Sequence, residues 1–311
     1  YTFFGGFLAA SWTDFIQGIL MFLALIIVPI VAINEIGGWN ETVQKVKLID
    51  SSLLDGFSGA TLIGTISLLA WGLGYFGQPH IIVRFMGIKS TKELPKARFI
   101  GMSWMILSLI GAILVGFTGI AYFSEMPLDN PETVFIQFSQ VLFNPWVAGL
   151  LLAAILSAIM STVDSQLLVS SSALAQDFFK SILKKNASQK EEMIVGRMAV
   201  LGISLIAILL GYNPDSKILE LVSYAWAGFG ASFGPVIILS LFWKRMTKNG
   251  ALAGIIVGAL TVITWSAIDG GIFDLYELAP GFVFGWLSIV IVSLISKKPS
   301  IEIQDEFNHY K

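Results

Sequence analysis

A chain of 311 residues in which 55% are hydrophobic and only 13% charged lies far from the soluble range, where about a quarter of residues carry charge, and reads as a polytopic membrane protein. Cysteine is absent, which excludes disulfides and thiol chemistry. The two histidines, His80 and His309, stand in no H-E-x-x-H or related spacing, so a transition metal would find too few ligands, and the formal net charge of -2 is informative only through where the charges fall.

About 20 apolar residues span a bilayer. By that rule eight segments are expected, roughly Gly5 to Ile33, Ala60 to Val83, Phe99 to Ala121, Pro145 to Asp177, Met193 to Tyr212, Ile218 to Trp243, Asn249 to Ile268 and Glu277 to Ser296. The opening YTFFGGFLAASW has no initiator Met and no basic region before a short apolar core, so it is not a signal peptide. In the first segment Ser11, Asp14, Gln17 and Gly18 share a helical face. An ionisable residue at that depth costs about 2.5 to 3.5 kcal/mol on insertion scales. Asp14 should therefore face protein or water, as hydrogen-bonded structural glue or as a functional acid.

The second segment contains WGLGYFGQPHIIVR, residues 71–84, with Gly72, Gly74, Gly77 and Pro79 close together. Proline lacks an N–H, strands the carbonyl four residues back, that of Tyr75, and pushes Gln78 out of helical angles. The pattern admits a passive kink or an unwound stretch lining a substrate site, since loose backbone survives in a membrane only when buried or beside a wet cavity. Residues 72–77 also match G-x-G-x-x-G. That fingerprint requires a preceding strand and a following helix, whereas an apolar run precedes it here and a proline follows.

Two loops on one side are longer than turns. Residues 34–59 carry a polar run, and residues 122–144 carry VFIQFSQVLF. The latter is expected to form a short helix on that face, as interfacial packing or a lid.

The fourth segment reads LLAAILSAIMSTVDSQLLVSSSALAQDFF, with Ala158, Ser161, Thr162 and Ser165 on one narrow face. Such a stripe is either close-packing glue or a set of uncharged oxygens for a hard cation such as sodium, by the logic that governs calcium and magnesium. Asp164 lies about 60° round the helix from Ser161. Further on, AWAGFGASFGP, residues 225–235, is a second glycine-rich break in which Pro235 frees the carbonyl of Ala231, as a hinge or a passive kink. Gly250, Gly254 and Gly258, and Gly281 and Gly285, repeat every four residues and suit close helix contacts.

Loops 84–98, 178–197 and 243–248 and the tail from Lys297 hold 16 of the 19 Lys and Arg residues; only Lys45, Lys47 and Lys217 lie on the other side. The positive-inside rule then places both chain ends in the cytoplasm.

WGLGYFGQPHIIVRFM, SAIMSTVDSQLLVSSSALAQDF and GGFLAASWTDFIQG together resemble the solute:sodium symporter family, in particular its sodium/proline branch, along essentially the whole chain. The resemblance implies an all-α membrane fold of 13 helices, ten of them in two inverted five-helix repeats. The eight spans here would be helices six to thirteen: the last helix of repeat one, all of repeat two and two extra helices, over residues 1–296, followed by a cytoplasmic tail, 297–311. Five preceding helices would lie outside the chain. It further implies sodium (Na+) as coupling ion, held by the carbonyl of Ala158 and the hydroxyls of Ser161 and Thr162, with Asp14 close to the ion path. Trp71, Tyr75 and Pro79 would line the pocket for L-proline. The expected partners are this solute and the lipid bilayer of the plasma membrane, with no nucleic acid. No covalent chemistry and no catalytic residue are expected. A sodium symporter of the same family for another small solute, a transporter-like sensor domain and an intramembrane enzyme are the rival readings. The short tail after Ser296 is expected to argue against the sensor, and the spans' lack of a His, Cys or paired-acid constellation against the enzyme.

Overall fold

The computed structural model describes residues 2–212 and 218–309, and every regular element among them is helical. Lys217 and Lys311, which entered the charge balance, lie outside the described residues. In order the helices are α1 (Thr2–Ile36), α2 (Trp39–Ile49), α3 (Leu62–Ala70), α4 (Pro79–Met86), α5 (Leu94–Tyr122), α6 (Val134–Leu142), α7 (Pro145–Ser172), α8 (Gln189–Leu210), α9 (Ile218–Phe242), α10 (Lys248–Trp265), α11 (Leu278–Ile295) and α12 (Ile301–His309). The last of these lies in the expected tail.

Among the described residues seven helices are long and apolar enough to cross a membrane: α1, α5, α7, α8, α9, α10 and α11. Along them large apolar side chains stay exposed, among them Ile113, Leu156, Leu205, Leu260 and Ile291, as lipid-facing residues must. The eighth expected span is not one helix. Residues 62–86 form α3, a 3-10 stretch Trp71–Gly77 and α4. Laid end to end these pieces reach about 40 Å, enough for a hydrocarbon core of about 30 Å. Gln78 is extended (φ -83°, ψ 113°) and Pro79 is the first residue of α4. Proline at that position sacrifices no helical hydrogen bond. It therefore starts a helix instead of kinking one, which corrects the expectation that it strands the Tyr75 carbonyl.

The chain divides into two compact units, Tyr1–Ser58 with Ile88–Ala207, and Gly59–Gly87 with Ile208–Lys311. In the first, α1 and α5 run parallel in constant register. The Trp104 indole N–H donates to the Gly18 carbonyl at 3.1 Å, and one full heptad on, a methyl at Gly111 would sit 2.5 Å from the Leu25 carbonyl oxygen. α7 runs antiparallel to α1, so Val28 joins Leu151, and Ala24 joins Ala154, in one buried cluster. Phe138 of α6 is fully buried in that cluster, so the predicted short helix over residues 134–142 is packed into the core. α2 contributes Val46 to a smaller cluster with Ile36 and Ala121. α7 starts at Pro145, where the Asn144 side chain accepts from the N–H groups of Trp146 and Val147, both at 3.1 Å. It runs past the expected end at Asp177 as a π-helix, Ala173–Leu183.

In the second unit α10 and α11 pack antiparallel through their glycines: Gly250 against Ser293, Gly254 against Ile289, Gly281 against the Gly258 carbonyl, and Gly285 against the Gly254 carbonyl and the Gly258 Cα. α9 is continuous through Pro235, so the second expected break is absent. The reason lies in its neighbours. The carbonyl of Ala231, freed by Pro235, is met by the Cα side of Gly258, where a methyl would overlap it, and by Gly285, where a methyl would sit at 3.1 Å. Close Cα–H···O approach takes the place of the missing N–H.

Candidate functional site

The broken element is held by α9. Gly74 lies against the indole of Trp226, which any side chain there would overlap, and Gly77 lies against the backbone of Phe229 and Gly230, with a methyl 2.7 Å from the Gly230 Cα. Glycine is required at both positions by approach distance. This contact lets Trp226 reach the unwound backbone. Its indole N–H donates to the Trp71 carbonyl at 3.0 Å, and its own carbonyl accepts from the Gln78 side-chain amide at 3.2 Å. Both ends of the 3-10 stretch are thereby fastened to one residue.

Rings gather around that anchor. Trp71 stacks on Trp226 (centroids 5.6 Å apart, planes at 14°) and on Tyr276 (5.9 Å, 17°), and Tyr75 meets Trp226 edge to face at 4.8 Å. Tyr276 is fixed from three sides. Its hydroxyl donates to the Ser223 carbonyl at 2.7 Å, its N–H donates to Ser67 Oγ at 3.0 Å, and its ring lies on Trp71. Burial first, and then the neighbouring Glu277 carboxylate, push the Tyr276 phenol upward, so it remains a donor at any physiological pH. Trp71 is half-buried and Tyr75 is 44% exposed, which leaves aromatic face open beside a stretch whose backbone is not fully committed to a helix. Aromatic faces attract ammonium groups, and irregular backbone supplies oriented N–H and C=O groups. Of the predicted pocket residues, Trp71 and Tyr75 share one partner, and Pro79 follows the Gln78 clamp. Sequence reasoning missed Trp226, Tyr276 and Gln78. Trp226 lay inside the motif singled out as a hinge, and only its long-range contacts give it another role.

The predicted cation oxygens belong to the first unit. Ser161 Oγ and Thr162 Oγ1 each donate to the Ala158 carbonyl at 3.1 Å, so three oxygens converge within one helical turn. Around an ion held at about 2.4 Å, as hard cations are held by oxygen, ligand oxygens sit roughly 3.4 Å apart. The spacing fits with a small rotation of each hydroxyl. Ser165 closes the stripe below, its hydroxyl donating to the Ser161 carbonyl at 2.8 Å. Asp14 is half-buried on α1. Met21 and Ala158 line an apolar cavity of about 290 Å³ together with Ala24 and Ala154. Since α1 and α7 are antiparallel, equal steps along each bring Gln17 level with Ser161, and Asp14 level with Asp164 and Ser165.

The family model described as "Sodium:solute symporter family" matches residues 1–258. The chain belongs to the sodium:solute symporter family. Among curated relatives it is 57% identical to the "High-affinity proline transporter PutP" of Bacillus subtilis (strain 168), over 100% of this chain and 66% of that protein. It is 54% identical to the "Sodium/proline symporter" of Salmonella typhimurium, over 99% of this chain and 62% of that protein. The "Osmoregulated proline transporter OpuE" of Bacillus subtilis is 53% identical over 96% of this chain and 62% of its own length. The chain thus spans about two thirds of the length of the relatives it matches. Membership in this family agrees with the seven helices, among the described residues, that are long and apolar enough to cross a membrane.

Proposed function

We propose that this protein is a secondary transporter coupling sodium entry to uptake of L-proline across the plasma membrane, with both ends of the chain on the cytoplasmic side. Its transmembrane part, 1–296, comprises the last helix of one inverted repeat, all of the second repeat and two further helices. Residues 297–311 form the tail. The observation that carries the reading is the unwound 3-10 stretch Trp71–Gly77, held by Trp226 and faced by open aromatic surface. The names of the similar proteins, proline transporters and sodium/proline symporters, supply the solute and the ion.

Sodium sits on the Ala158 carbonyl and the hydroxyls of Ser161 and Thr162, with Asp14 adding negative potential along its path. Binding turns each hydroxyl proton away from the Ala158 carbonyl and presents a lone pair to the ion. No fixed charge is among the three ligands, so the ion is held weakly enough to leave. Proline enters against Trp71 and Tyr75, its ammonium on the rings and its carboxylate toward the backbone near Pro79. Coupling is reciprocal, so each ligand tightens the other by one common factor, and rocking of one helix bundle against the other releases both inside.

The test is uptake of labelled proline by the full-length protein in proteoliposomes under an inward sodium gradient. Ser161→Ala and Thr162→Ala are expected to raise the half-saturating sodium concentration tenfold or more at unchanged protein yield, because among the described residues both hydroxyls bond within their own helix. Uptake with an unaltered sodium dependence in both variants would remove the ion assignment. Competition by other amino acids with equal potency would remove proline as the preferred solute.

A further inference from the structure

One cavity lies apart from every residue used above. It measures about 550 Å³ and sits between the lower part of α7 with its π-helical extension and the first turns of α8. Its form follows from how those two elements meet. The π-helix is wider in its bonding than the α-helix before it: Lys184 N–H donates to the Phe179 carbonyl at 2.7 Å and Ser181 Oγ to the Gln176 carbonyl at 3.0 Å, both five residues back. α8 then begins in a capping box. The Ser188 N–H donates to the Glu191 carboxylate at 2.9 Å, and the Glu191 N–H donates to Ser188 Oγ at 3.3 Å. The two helices close on one another where Gly196 meets Ala175, and the cavity opens beside that contact.

Charge within this corner is sorted in a particular way. Lys180 pairs with Glu192 at 2.7 Å and Lys184 with Glu191 at 2.6 Å. Both glutamates are thereby neutralised. Lys190, which lines the cavity, makes no ion pair among the described residues. Lys180 and Lys184 are thus matched by the two glutamates, of which Glu192 also lines the cavity, and Lys190 is the lining residue whose positive charge is not matched in this way. Ser172, Gln176 and Gln189 add neutral donors around it, while Leu168 and Met193 form an apolar wall.

Depth settles what kind of anion fits. From Pro145 to Phe179 the chain carries no Lys or Arg, and Lys180 is the first, so the cavity lies where the apolar run gives way to charge. None of the apolar window of α8 is buried, and Gln176, Lys190 and Met193 on the cavity wall are exposed, so the cavity is open among the described residues. A polar rim with one cation beside an apolar wall, at the border of the hydrocarbon, matches an amphiphile better than a free ion.

We propose that this cavity binds one anionic phospholipid, its phosphodiester oxygens on Lys190 Nζ and the side-chain amides of Gln176 and Gln189, and an acyl chain along Leu168 and Met193. The site is independent of the transport reading, because none of the residues that line it is among those assigned to the solute or the ion.

The experiment is native mass spectrometry of the full-length protein released from nanodiscs of phosphatidylcholine containing a fifth phosphatidylglycerol. One phosphatidylglycerol is expected to stay bound per chain. Lys190→Gln should lower its occupancy at least fivefold, Lys190→Arg should restore it, and Lys185→Gln, which removes the same charge from a neighbour outside the cavity, should leave it unchanged. Equal losses in the Lys190 and Lys185 variants would mean diffuse attraction to the membrane surface and would overturn the site. So would full retention in Lys190→Gln. Inorganic phosphate added to lipid-free micelles should give no adduct; a phosphate adduct with no retained lipid would overturn the lipid assignment. Thermal unfolding adds a readout free of mass spectrometry: phosphatidylglycerol should raise the midpoint of the wild type and of Lys185→Gln, and not that of Lys190→Gln.

Discussion

Two glycines five residues apart in the broken element should respond in opposite ways to the same methyl group. At Gly77 an added Cβ would overlap the Phe229 carbonyl oxygen and lie 2.7 Å from the Gly230 Cα and 2.9 Å from the Phe229 carbonyl carbon. Carbon atoms rest at about 3.5 to 4.0 Å, so the seam between the 3-10 stretch and α9 has to part by roughly 1 Å. The obstructing atoms are backbone, which leaves no side chain to swing away. Overpacking of that kind costs about 1 to 3 kcal/mol, or roughly 5- to 150-fold in an equilibrium constant. Parting the seam also draws Trp226 away from the Trp71 carbonyl and from the Tyr75 ring. Gly77→Ala is therefore expected to lower both the unfolding midpoint in detergent and the apparent proline affinity, the latter by at least fivefold. At Gly72 the same methyl meets nothing within 4 Å, and Gly72→Ala should match the wild type in both measurements. Equilibrium binding of labelled proline and a thermal melt on the purified full-length protein decide it. Should Gly77→Ala bind and melt like the wild type, or Gly72→Ala lose as much, the packing account of this break is wrong.

Trp226→Phe keeps a ring against Trp71 and Tyr75 and removes only the N–H that reaches the Trp71 carbonyl at 3.0 Å. Losing that second donor to a carbonyl already inside the 3-10 stretch costs about 0.5 to 1.5 kcal/mol, and proline binding should weaken roughly two- to tenfold in equilibrium dialysis, while an unchanged affinity would show that the indole bond does not position the stretch. Gly258→Ala puts a methyl onto the Ala231 carbonyl that Pro235 has freed; it should lower the melting midpoint clearly, and Pro235→Ala in the same chain should recover part of the loss by returning that carbonyl to its helix. No recovery in the double variant would argue that Gly258 matters for α10 packing alone.

Local chemistry made a good deal of this legible. Gly72, Gly74, Gly77 and Pro79 lie close enough to forbid a regular helix, and the structure unwinds there. The spacing of Ala158, Ser161 and Thr162 places two hydroxyls one turn from a carbonyl in any α-helix, and they bond to it. The glycines of α10 and α11, spaced four apart, face one another. Pro79 and Pro235 show where local reading stops. Both free a carbonyl on paper, yet Pro79 begins a new helix because the chain before it has already turned to 3-10, and Pro235 leaves α9 continuous, with Gly258 and Gly285 packed close against the Ala231 oxygen.

Hydrophobic run length, charge placement and helical periodicity are properties of neighbouring residues, so the sequence by itself determined the helical membrane character, the place of the break and the family to which the chain belongs. It did not determine what the break is fastened to. Trp226 stands 155 residues from the carbonyl it bonds, Tyr276 lies 209 residues from the Ser67 hydroxyl that meets its N–H, and the cavity beside Lys190 exists only because a π-helix and a capped helix close on each other at Ala175 and Gly196. Contacts of that range depend on which helix faces pack together, and packing is decided by the shape of both partners at once.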